Sequence, residues 1–127
     1  MSVAEGTLTP AFRDEVLTFY GELFGWRDVE SLRRPDRMTL AVGGGTYVNI
    51  RERPDPMTCS GYEHLGVLLD SADAVEATWT RLAEGDADVH LEELQRGDDG
   101  YRSFRVRHLL PLAIEVQYLP PAAQDLF

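Results

Sequence analysis

Lysine is absent from this sequence: all 12 basic residues are arginine, against 22 acidic ones, for a formal net charge of −10. A chain this acidic lacks the net basic face that binding to nucleic acid or to an anionic membrane requires, so neither is expected as a partner. Cysteine is nearly absent as well. Cys59 is alone and cannot close an internal disulfide, so the cysteine count gives no reason to place the fold in an oxidising compartment. No apolar stretch approaches the length of a membrane span, and Met1–Ser2–Val3–Ala4–Glu5 lacks the basic-then-apolar build of a signal peptide. The expectation is a soluble, cytoplasmic protein.

What is present is a core-forming composition. With 127 residues, 43% of them hydrophobic and 27% charged, the chain has the content of one globular domain. Phe12, Val16, Phe19, Tyr20, Leu23 and Phe24 recur at helical spacing, which predicts an amphipathic helix from about Pro10 to Phe24, with Gly25 as its terminator. Val3–Thr9 reads as a strand before it. Met38–Val42 and Thr46–Arg51 read as strands joined across Gly43–Gly44–Gly45, with a fainter strand around Trp26–Ser31.

The pattern then restarts. His64–Leu69 reads as a strand, Asp70 and Ser71 as caps, and Ala72, Val75, Trp79 and Leu82 as the stripe of a second helix. Val89–Leu94, Ser103–Arg107 and Leu112–Leu119 follow as strands. Between the halves, Arg53 to Gly61 is a connector marked by Pro54, Pro56 and Gly61. Each half, about 1–56 and about 60–120, buries too little surface alone, so the expected fold is α+β: two βαβββ modules packed as one domain, with a curved mixed sheet around a concave cleft.

Side chains alternate across a strand, so each strand divides into two faces. Val48, Ile50, Leu65, Val67, Ile114 and Val116 form an apolar face able to carry the helices. The opposite face presents Glu5, Asn49, His64 and Glu115, one polar residue from each of four strands, spaced 44 residues apart in the first half and 51 in the second. Carboxylate, imidazole and amide oxygen are the donors a divalent metal takes. Polar residues on a solvated sheet face also need no metal at all.

At these residues the sequence resembles the vicinal oxygen chelate superfamily, which includes glyoxalase I, fosfomycin and bleomycin resistance proteins and extradiol dioxygenases. Phe19–Tyr20–Gly21–Glu22–Leu23–Phe24–Gly25–Trp26 is similar to the signature closing that family's first helix. His64–Leu65–Gly66–Val67 resembles its strand with a leading metal histidine, and Ala113–Ile114–Glu115–Val116 its last strand with a metal glutamate. The resemblance places the first ligand, usually histidine, on Glu5, fourteen residues before Phe19, and the remaining one on Asn49. His108–Leu109–Leu110–Pro111 replaces the family's usual turn before the last strand.

Two functions follow from the resemblance. One is a lyase, isomerase or dioxygenase in which Zn, Ni, Mn or Fe, held by His64, Glu115, Glu5 and Asn49, grips two adjacent substrate oxygens while Glu5 or Glu115 acts as general base. The other is a metal-free protein that sequesters a drug or metabolite, with Tyr47, Arg51, Tyr101, Arg105 and Trp26 as its lining. A homodimer is expected in either case. Gly43–Gly44–Gly45 lacks the following Lys–Ser/Thr of a phosphate loop, and the acidic run from Glu84 to Asp99 lacks the spacing of a calcium loop. The apolar end of the tail, Leu126–Phe127, is a candidate contact for a partner subunit.

Overall fold

The first helix is written by its ends. The Thr9 hydroxyl accepts from the Phe12 N–H at 3.2 Å, Pro10 fills the first turn where no N–H is needed, and Gly25 closes the helix in the left-handed region at φ 74°. The structure, a computed structural model, describes residues 1–124, and its chain divides into two units, Met1–Thr58 and Cys59–Phe127. The apolar tail end considered above lies outside the described residues.

The first unit runs β1 (Ser2–Ala4), α1 (Pro10–Phe24), β2 (Arg27–Asp28), a 3-10 turn at Glu30–Leu32, β3 (Arg37–Gly43) and β4 (Thr46–Arg53). Its sheet has the order β1-β4-β3-β2. The β3–β4 hairpin turns through Gly43, Gly44 and Gly45, whose φ angles of 103°, 61° and 75° lie where a side chain is strained, which is the reason for three glycines in a row. Tyr20 of α1 is fully buried and stacks on Trp26, with ring centroids 5.1 Å apart and planes 13° from parallel. That pair fixes the chain as it leaves the helix.

The second unit runs β5 (His64–Leu68), α2 (Ala72–Glu84), β6 (His90–Leu91), β7 (Gln95–Arg96), β8 (Arg102–Arg107), β9 (Ala113–Tyr118) and the short α3 (Pro121–Gln124). The sheet order is β5-β9-β8-β6, with β7 also paired to β8. Ser71 caps α2 by accepting from the Ala74 N–H at 3.0 Å, and α2 lies against β8 and β9. Val75, Leu82, Phe104, Val106, Ile114 and Val116 form the buried core of this unit.

The two units repeat one plan. In each, the first strand pairs in parallel with the last, Ser2 opposite Arg51 and His64 opposite Ala113, a separation of 49 residues both times. The caps Thr9 and Ser71 then stand seven residues after Ser2 and His64. The fold is α+β, as the sequence pattern predicts, with one mixed sheet in each unit.

Three expectations need correction. β1 is Ser2–Ala4, not Val3–Thr9: Gly6 at φ 84° and the Thr7 N–H bond to the Ala4 carbonyl turn the chain immediately after Ala4. The faint strand at Trp26–Ser31 contracts to Arg27–Asp28 before the 3-10 turn, and Val89–Leu94 yields His90–Leu91, with a separate short strand at Gln95–Arg96.

Candidate functional site: the polar faces of the two sheets

In the second unit, register places His64 and Gly66 of β5, Ala113, Glu115 and Gln117 of β9, and Ser103 and Arg105 of β8 on one face. Glu115 stands opposite Gly66, which offers no side chain, and its carboxylate reaches His64 instead. His64 Nε2 lies 2.7 Å from Glu115 Oε2, and Arg105 Nε lies 4.0 Å from the same oxygen. The other ring nitrogen, Nδ1, is 2.8 Å from the Tyr62 carbonyl. Both imidazole nitrogens therefore face acceptors. A cleft of ≈230 Å³ opens beside this group, lined by Glu92, Glu93, Gln95, Ser103, Phe104, Arg105 and Glu115.

In the first unit, Thr39 of β3 stands opposite Asn49 of β4. Thr39 is fully buried and its hydroxyl donates to Asn49 Oδ1 at 2.6 Å. The oxygen proposed as a metal donor is thus already a hydrogen-bond acceptor. Toward the hairpin the same face opens into a cleft of ≈510 Å³, lined among others by Phe24, Arg27, Val29, Leu32, Thr39 and Tyr47. Tyr47 is 60% exposed there.

Glu5 does not join the site. It is exposed, in the turn after β1, and Ala4, the last strand residue before it, is in register with Arg53. That is four residues, about 13 Å, along β4 from Asn49. The internal repeat explains the error: with Ser2 matched to His64, the residue matched to Glu115 is Arg53, because Ala4 pairs with Arg53 as Gly66 pairs with Glu115. A hydroxyl and a guanidinium in the first unit thus answer to the imidazole and carboxylate of the second. Ser2 also accepts from the Met57 N–H at 2.7 Å.

A resident divalent ion is therefore poorly matched by these donors. Of the four nominated ligands, His64 and Glu115 meet, Asn49 is engaged by Thr39, and Glu5 lies off the face. Among the described residues no three of His, Cys, Asp or Glu converge in a metal-holding group. Structural and catalytic metal sites need three or more such donors.

The lining residues divide similarly. Tyr47 and Arg105 line the two clefts, whereas Arg51 is exposed on the face outside both and Tyr101 precedes β8 at the sheet's end. Trp26 is buried in the core against Tyr20. Thr39, Ser103, Arg27 and Gln95 escaped the sequence reading. Thr39 and Ser103 each sit on a polar face yet are buried, and alternation from Asn49 and Glu115 would have reached both.

No curated protein matches the sequence significantly. Among solved structures, the fosfomycin resistance protein FosX from Listeria monocytogenes, as a mutant complexed with Mn(II) and 1S,2S-dihydroxypropylphosphonic acid, matches 98% of this chain and 91% of its own at 12% identity and TM-score 0.69. Lactoylglutathione lyase from Agrobacterium tumefaciens matches at 19% identity and TM-score 0.63, covering 93% and 90% of the two chains. TioX from Micromonospora sp. ML1 matches at 23% identity and TM-score 0.55, covering 94% and 93%. At these identities the likeness concerns the fold. The family model for the glyoxalase, bleomycin resistance protein and dioxygenase superfamily matches residues 13–110, and to that superfamily the chain belongs.

Proposed function

We propose that the protein binds a small organic molecule on the polar face of its first sheet and does so without a resident metal, in the manner of the superfamily's sequestration proteins. The observation that carries this reading is the ≈510 Å³ cleft of the first unit, in which Phe24, Val29 and Leu32 supply apolar wall while Thr39, Arg27 and the exposed Tyr47 supply polar anchors. Mostly apolar walls with a few placed polar groups, at a volume of a few hundred Å³, describe a site for a drug-sized ligand. The metal-dependent lyase, isomerase or dioxygenase reading needs a donor set that Glu5 does not complete.

Tryptophan emission provides the assay, because Trp26 contacts Phe24 at 5.5 Å between ring centroids and Phe24 lines the cleft. Titration with a panel of aromatic natural products and thiol conjugates is expected to give a saturable change for at least one compound, weakened about tenfold or more by Tyr47→Ala. Silence across the panel sinks the binding reading. Calorimetric titration with Mn(II), Zn(II) and Ni(II) separates the two functions: one tightly bound ion per chain, lost in His64→Ala, restores the metalloenzyme. The superfamily's habit of pairing makes a homodimer part of the proposal, and light scattering reads it directly.

A further inference from the structure

Asp28 carries a buried carboxylate that the polar-face site does not use. It pairs with Leu40 across β2–β3, so it lies on the face opposite Thr39 and Ala41, together with Met38 and Leu40. Its side chain is only 9% exposed. Oδ2 accepts from Arg33, whose Nε lies at 3.1 Å, while the buried Oδ1 has no hydrogen-bond partner among the described residues. A cleft of ≈270 Å³ adjoins it, lined by Asp14 and Leu17 of α1, Asp28, Arg33 and Met38 among others.

Two carboxylates and two guanidinium groups line this cleft, Asp14 and Asp28 with Arg13 and Arg33. Asp14, Asp28 and Glu30 all act on the Arg33 guanidinium and, with the Asp28 hydrogen bond foremost, hold it above its ordinary pKa. Arg13 keeps its charge beside the cleft, but its nitrogens donate to the carbonyls of Leu8, Arg34, Pro35 and Arg37 and not to Asp28. Neither guanidinium satisfies Asp28 Oδ1, and a buried carboxylate oxygen without a donor is an unfavourable state that a ligand N–H corrects.

We propose that this cleft is a second binding site, for a primary ammonium on a short apolar chain. The ammonium donates to Asp28 Oδ1 and faces Asp14, while Leu17 and Met38 cover the chain. Arg33, whose side chain is 49% exposed, is the wall that swings outward to admit it. An ammonium fits because it is compact and brings three donors, whereas a second guanidinium repeats the fork that Arg33 already supplies.

The test is an NMR titration with n-butylammonium chloride, following the Asp28 carboxyl and Leu17 methyl signals, against sodium chloride and sodium butyrate at equal ionic strength. Saturable shifts with the amine alone are expected, weakened about tenfold or more in Asp28→Asn. Arg33→Gln removes the competing cation and keeps Asp28, so it is expected to tighten binding severalfold. Equal shifts with sodium chloride, an unchanged Asp28→Asn titration, or weaker binding in Arg33→Gln each overturns the proposal. Should Asp28→Asn fail to fold, Arg33→Gln decides alone.

Discussion

Glu115 bonds a residue it is not paired with. Its register partner on β5 is Gly66, and its carboxylate instead lies 2.7 Å from His64 Nε2, two residues back along the strand. The contact spends both groups on each other. A double-mutant cycle of His64→Gln and Glu115→Gln, read by urea denaturation, is expected to return a coupling of about 0.5–1 kcal/mol, as for other partly solvated hydrogen-bonded pairs. A coupling near zero would mean that the pair is not formed in solution.

Thr39 sets the orientation of the Asn49 amide. Thr39→Val leaves Asn49 Oδ1 without its donor at a fully buried neighbour and is expected to cost about 1–3 kcal/mol in thermal or denaturant unfolding. Asn49→Asp keeps an acceptor for the hydroxyl and is expected to cost less. The reverse ranking would refute the assigned bond.

Arg13 gathers the carbonyls of Leu8, Arg34, Pro35 and Arg37, tying the turn before α1 and the loop before β3 to the helix. Arg13→Ala is expected to destabilise by about 1.5–3 kcal/mol. Arg13→Lys should recover little of this, since an ammonium cannot match a planar fork to several carbonyls at once. Full rescue by lysine would show that charge alone matters.

Glu63 precedes His64 and accepts from the Ser60 hydroxyl, which together with a backbone bond holds its carboxyl below the ordinary carboxylate value. A carboxyl depressed in the folded state favours folding above its unfolded pKa, and this contribution is lost as pH falls through the folded one. Ser60→Ala is expected to raise the Glu63 midpoint in a carboxyl NMR titration. An unmoved midpoint would contradict the bond.

How far the sequence carried the reading depends on how local each signal is. Helix α1 was legible because its apolar stripe, Pro10 in the first turn and the Gly25 stop are all local signals, whereas the Thr9 cap was read as the end of a strand. His64 and Glu115 were found by strand alternation, which has a short period and strong side-chain contrast. Glu5 was put on the polar face by alternation along an expected Val3–Thr9 strand, whereas Gly6 turns the chain after Ala4. Thr39 was passed over because a threonine between Met38 and Leu40 reads as an ordinary strand former. The parallel pairing of Ser2 with Arg51 has no local signature, so the true partners of the repeat, Ser2 with His64 and Arg53 with Glu115, emerge only from register.

The 49-residue separation between paired strands, identical in both units, also orders the events by which each sheet is built. The β3–β4 hairpin joins Ala41 to Tyr47 over a handful of residues, while β1 meets β4 only after the whole unit has been looped back. Closing the longer loop costs about 2 kcal/mol more in chain entropy. Hairpin first and edge strand last is therefore the expected sequence, with amides of β4 facing β3 protected earlier than those facing β1 in pulsed hydrogen exchange. On a ribosome, the first strand of each unit emerges 49 residues ahead of its partner and waits through the synthesis of the whole unit.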